Sequence, residues 1–150
     1  MLKIGDKFLF DENLLNRQTC LMFFKEYNSV SWSVDIGFKN GNFGDEILAP
    51  AICINPINTD KNSIEDLVGE IFRVATVEEC DDREDTFYLY ESEPMVSYEL
   101  EVLEIKDSRA HVRCNGILIV DGYSVPYIRE SFEIDAWIPV IESVNDWEKS

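Results

Sequence analysis

The sequence predicts a mainly β protein: an antiparallel sheet of hairpins forming a sandwich or barrel, with at most one or two short helices. Three observations predict it. Apolar residues recur with period two along several segments, which is the strand period. Turn dipeptides separate these segments, as adjacent hairpins require. Hydrophobic residues make up 45% of the 150, with three Trp, six Tyr and nine Phe, enough for a core without disulfides or metal.

In chain order, Cys20-Leu21-Met22-Phe23-Phe24 reads as a strand buried on both faces. Val30, Trp32, Val34, Ile36 and Phe38 alternate with Ser31, Ser33, Asp35 and Gly37, a half-buried strand with Trp32 in the core. Asn40-Gly41 follows as a hairpin turn. Residues 47–54 are apolar but broken by Pro50, which implies an edge or a bulge because proline donates no ladder hydrogen bond. Ser63-Ile64-Glu65-Asp66 resembles a capping box and opens a short helical turn that Gly69 closes. Residues 11–17 and the C-terminal tail, which carries Trp147, are the other places where helix is expected.

Strands resume at Ile71-Phe72-Arg73-Val74 and Phe87-Tyr88-Leu89-Tyr90. Residues 98–105 and 109–120 pair around a two-residue turn at Asp107-Ser108, which sets Glu104 opposite His111. Leu100 and Val102 share one face there and Leu103 and Ile105 the other, so a bulge near Val102-Leu103 or a doubly buried strand is expected. Asp121-Gly122 signals another hairpin before Phe132, Ile134, Ala136 and Ile138 alternate. Without a linker or repeat, residues 1–150 read as a single acidic β-rich domain.

Thirty acids against 13 bases give a net charge of −17. The middle of the chain carries most of it: residues 60–107 hold 16 acids and 4 bases. This sign repels nucleic acid and anionic lipid, and it is complementary to a basic protein surface. It also serves plain solubility. The N-terminal residues lack the apolar run of a secretory leader, and no stretch approaches the ~18 apolar residues of a membrane span. The expectation is therefore a cytoplasmic protein with four reduced thiols, Cys20, Cys53, Cys80 and Cys114.

The densest acidic segment is Glu78-Glu79-Cys80-Asp81-Asp82-Arg83-Glu84-Asp85. Its first reading is a solvated hairpin loop, extended by self-repulsion. Its functional reading makes Glu78, Glu79, Asp81, Asp82, Glu84 and Asp85 a docking face for a partner's Lys and Arg. The EF-hand spacing fails, and no C-x-x-C or Cys/His zinc pattern exists. Trp137 falls on the polar face of its strand; it is either an interface anchor or core under a covered face. His111, the single histidine, reads as a cross-strand partner of Glu104. Gly122-Tyr123-Ser124-Val125-Pro126 echoes a nucleophile elbow, but Pro126 replaces the second glycine and a hairpin replaces the strand-to-helix turn. Carboxylate pairs such as Glu99 and Glu101 arise by accident among so many acids.

The sequence thus carries no catalytic, cofactor or metal motif, and no enzyme is expected. The leading expectation is a small acidic protein-binding domain, an inhibitor or immunity-type protein that neutralises a basic, nuclease-like partner. The alternative is a β-barrel or sandwich that binds a small apolar ligand. A homo-oligomer with an edge-strand interface remains compatible.

Overall fold

The computed structural model describes residues 1–15, 18–143 and 146. Trp147 and part of both expected helical stretches, in 11–17 and the tail, lie outside them. Thirteen strands follow one another: β1 (Leu2–Ile4), β2 (Phe8–Phe10), β3 (Cys20–Glu26), β4 (Ser29–Gly37), β5 (Gly41–Phe43), β6 (Glu46–Leu48), β7 (Ala51–Thr59), β8 (Ile71–Val74), β9 (Thr86–Tyr88), β10 (Ser92–Glu93), β11 (Ser97–Lys106), β12 (Arg109–Asp121) and β13 (Ile128–Ile141). A 3-10 turn (Glu65–Leu67) and one helix, α1 (Val77–Asp82), complete the described secondary structure.

The mainly β class holds, and the architecture is one curled, antiparallel-rich sheet, a half-barrel, with a small second sheet. The main sheet runs β10-β9-β7-β4-β3-β13-β12-β11-β8, and β1 pairs with both β13 and β2. The long β13 makes this possible. Its first half takes β1 (Ile134 opposite Leu2), and its last residues run parallel to β3 (Val140 opposite Leu21). The inward face is filled by large side chains, among them Phe23, Trp32, Phe87 and Phe132. Phe87 of β9 and Phe132 of β13, far apart in sheet order, meet with ring centroids 5.1 Å apart. Burial of such side chains, about 1.5–3 kcal/mol each, is what holds the curl.

Several sequence expectations are met residue for residue. Asp107 and Ser108 form the two-residue turn with φ of 54° and 60°, and Lys106 pairs with Arg109. The ladder slips between Val102 and Glu104, the expected bulge. A second slip, between Trp32 and Val34 on β4, faces Ile57 and Ile54 of β7, where Pro56 needs no ladder partner. Pro50 precedes β7, and its carbonyl accepts the Phe38 N–H at 2.9 Å.

Other expectations need correction. Asn40-Gly41 is not the turn: Gly41 begins β5, and the reversal comes at Gly44, whose φ of +62° glycine adopts without strain. Strands β4 and β7 still pair, with the β5–β6 hairpin inserted between them. Asp121-Gly122 opens a longer loop, residues 122–127, rather than a tight hairpin. The turn before Gly69 is 3-10, starts from Ile64 and has no side-chain cap, so Ser63 does not build the capping box. The acidic run at 78–85 is not an extended loop: its first half is α1. No described helix is long and apolar enough to cross a membrane.

Candidate functional site

Helix α1 forms because Thr76 caps it, its hydroxyl accepting the Glu79 N–H at 3.1 Å. Glu78 and Glu79 lie in the first turn, where the helix dipole favours negative charge over the repulsion that would hold a loop open. Glu78, Glu79, Asp81, Asp82 and Glu84 are exposed, and Cys80 is buried beneath them. The spacing Thr76-x-x-Glu79 was the signal for this helix, and the charge density around it obscured it.

Asp85 departs from its neighbours. It is fully buried, so it is not part of a docking face. Its carboxylate accepts the Asn55 N–H at 2.8 Å, the Arg83 Nε–H at 2.7 Å and the Tyr98 hydroxyl. Arg83 also donates to the Asn55 carbonyl at 2.6 Å and lies 4.7 Å over the Phe72 ring. Asn55 belongs to β7, near one end of the curled sheet, whereas Tyr98 on β11 and Phe72 on β8 belong to the other. The segment from α1 to β9 therefore clasps the two ends of the half-barrel through a fully hydrogen-bonded ion pair. Burial, and then the neighbouring Asp85 carboxylate, pushes the Tyr98 phenol far above its ordinary value. Tyr98 thus stays a donor.

Trp137 is half-buried on the outward face of β13, and α1 lies elsewhere in the fold; the structure joins no residue of the acidic run to it. Its ring stacks on His111, with centroids 4.9 Å apart and planes at 15°. His111 does pair in register with Glu104, but its Nε2 meets Asp135 Oδ1 at 2.6 Å instead. Asp135 also faces Arg113 at 3.8 Å. Glu99, of the Glu99/Glu101 pair, is bound to Arg73 at 2.6 Å.

The thiols are all free and guarded. Burial pushes Cys20 and Cys80 up to about 11 and, with Asp35 beside it, Cys53 up to about 12; burial raises Cys114 further. None is poised as a thiolate nucleophile at neutral pH. Ser124 sits in the 122–127 loop with its hydroxyl on Asp121 at 2.8 Å, not on an elbow. Among the described residues no group of three or more His, Cys, Asp or Glu is placed to hold a metal ion.

A different site emerges where the β9–β10 turn meets the β12–β13 loop. A cleft of about 470 Å³ opens between Tyr90, Glu91 and Glu93 on one side and Asp121, Tyr123 and Ile128 on the other. Buried Leu89 anchors the turn, and Tyr90 leans on Phe43 at 6.1 Å, which in turn packs on Phe8 at 4.5 Å. The inserted β5–β6 hairpin thus props the aromatic wall. Across the cleft, Asp121 shapes the loop by accepting the Ser124 hydroxyl at 2.8 Å and the Tyr123 N–H at 2.9 Å, which lower its pKa. Tyr123 reaches back with its hydroxyl to Glu91 at 3.0 Å. Glu93 lies over Gly122, where a Cβ would stand 2.8 Å from its carboxylate oxygen.

No known protein family, curated protein or solved structure matches this chain. Its function must be read from the geometry. The cleft has carboxylates on both walls, no Lys or Arg in its lining, and two exposed tyrosines. None of Glu91, Glu93 and Asp121 is ion-paired among the described residues. Sequence reasoning missed it because its walls come from segments some 30 residues apart, each unremarkable alone.

Proposed function

We propose that this chain is a protein-binding domain that neutralises a basic partner by charge complementarity, in the manner of an inhibitor or immunity protein. The observation that carries this reading is a tyrosine-rimmed acidic cleft, its carboxylates in no ion pair among the described residues, on a chain of net charge −17. Tyrosine is enriched among the residues that dominate protein interfaces, and opposite potentials speed encounter. A nuclease-like partner fits the sign, since a surface that handles phosphates is positive. The packed interior favours this over the apolar-ligand alternative, because Trp32, Phe23, Phe87 and Phe132 occupy the space a barrel ligand would need.

The test is capture on the immobilised protein from its native lysate, elution by a salt gradient, and purification of what elutes. The expected result is a basic protein whose association rate falls about tenfold or more between low and high salt. A salt-insensitive rate, or capture of only neutral and acidic proteins, overturns the reading.

A further inference from the structure

We propose that the cleft between the β9–β10 turn and the β12–β13 loop is the docking point, and that it receives an arginine or lysine side chain of the basic partner. This rests on the partner reading above and assigns it a place.

The acidic clusters differ in what occupies them within the chain. On α1, Glu78 and Glu79 have a local cause, the helix N-terminus, and both are exposed. Asp85 is consumed by the clasp. In the cleft, Asp121 serves the loop and Glu91 accepts one phenol, yet each carboxylate oxygen has a second lone pair to offer. Among the described residues the Glu93 carboxylate accepts no hydrogen bond and forms no ion pair, and the residue is half-buried. Three carboxylates thus line one cleft, and none of them is ion-paired among the described residues.

The rim suits a cation on an aliphatic stem. Tyr90 and Ile128 offer apolar area and are 42% and 52% exposed. Tyrosine faces attract guanidinium and ammonium groups, and the stem of Arg or Lys packs on apolar surface while its head reaches carboxylate. The phenols remain donors, because Glu91 beside Tyr123 raises it, and partial burial with Glu46 nearby raises Tyr90.

Two other occupants fit less well. A second copy would bring another −17 against the same face. A small apolar ligand would strip water from carboxylates and give them no partner, which costs several kcal/mol per ion.

The experiment titrates the ¹⁵N-labelled protein with the peptide acetyl-Gly-Arg-Gly-Arg-Gly-amide at low salt, with the citrulline peptide as control. Amide shifts are expected to concentrate at residues 90–93, 120–123 and 128. The E91Q/E93Q variant, which leaves the Asp121 turn intact, is expected to weaken binding about tenfold. The E78Q/E79Q/D81N/D82N variant is expected to change it less than about twofold. Shifts centred on α1 and lost in that second variant overturn the cleft and leave the basic-partner reading standing. Arginine shifts no larger than those of citrulline overturn both. Salt-independent filling of the cleft by anilinonaphthalene sulfonate overturns the proposal for an apolar ligand. Concentration-dependent cleft shifts without peptide overturn it for a second copy.

Discussion

Two acidic regions of this molecule are built from the same residue types and lie in opposite environments. At the α1–β9 junction, Asp85 is fully buried and accepts hydrogen bonds from Asn55, Arg83 and Tyr98. At the β9–β10 turn, only a few residues on, Glu91 and Glu93 face solvent or a cleft that no described Lys or Arg lines. A buried carboxylate can persist only when its hydrogen bonds and charge are met in place, so the first region is architecture. An exposed carboxylate keeps its water and loses little by waiting, so the second is free to meet a partner. Charge count alone does not separate the two regions, because within the denser run Asp85 is tied into the fold while Glu78, Glu79, Asp81, Asp82 and Glu84 stay exposed.

Removing the clasp should cost the fold most. Asp85→Ala leaves the Arg83 guanidinium, the Tyr98 hydroxyl and the Asn55 N–H without their acceptor. The expected loss is about 3–5 kcal/mol in urea denaturation. Asp85→Asn keeps one acceptor oxygen and is expected to lose less. A loss below about 1 kcal/mol for Asp85→Ala would mean that water substitutes for the carboxylate and that the ends of the sheet hold without it.

The clasp and the thiols together set a pH limit. Tyr98 and all four cysteines have folded pKa values raised above their unfolded ones, chiefly by burial. A raised pKa means the folded state keeps a proton that the unfolded state releases. The stabilisation is therefore complete below about pH 8.5, where unfolded thiols remain protonated, and declines as pH climbs past the thiol and then the phenol range near 10. The urea midpoint is expected to fall steadily from pH 8 to 11. Cys114→Ala and Tyr98→Phe should each flatten that decline, and an unchanged slope in both would contradict it. Native thiols should alkylate far more slowly than unfolded ones at pH 8, with half-exposed Cys53 the first to react.

Thr76→Ala tests the helix that draws the acidic run into the fold. Loss of the cap to Glu79 is expected to cost about 1 kcal/mol. A change below a few tenths would mean that Cys80, buried under α1, holds the helix without its cap.

How much of this was legible follows from the range of each interaction. Period-two alternation placed Val30–Phe38 and the 98–120 hairpin, and the φ demands of Asp107-Ser108 fixed a register down to Glu104 opposite His111. Those signals are local. The parallel pairing of β13 with β3 and the insertion of β1 beside β13 are not, because both depend on which distant edge is left uncovered. His111 found Asp135 rather than Glu104 because β12 has two neighbours, and a sequence pattern exposes only the hairpin partner. The clasp joins residues 13 to 30 positions apart, so Asp85 was indistinguishable from Glu84 in the sequence. The cleft depended in addition on the β5–β6 hairpin, whose turn at Gly44 was misplaced by the stronger Asn40-Gly41 signal.

Substitution of the cleft carboxylates should hardly change stability. E91Q/E93Q removes two negative charges from one sign-uniform cleft, and neither residue is ion-paired within the described chain. Surface substitutions of this kind change stability by less than about 0.5 kcal/mol. Relief of like-charge repulsion should make any change favourable, most visibly at low salt, where exposed charges interact over the longest range. If the variant is instead destabilised by about 2 kcal/mol, Glu91 and Glu93 are structural in the same sense as Asp85, and the contrast between the regions fails. If it is neutral to slightly stabilised yet loses arginine-peptide binding, the same two residues cost the fold a little and serve recognition. That combination is the physical signature of carboxylates kept for a partner.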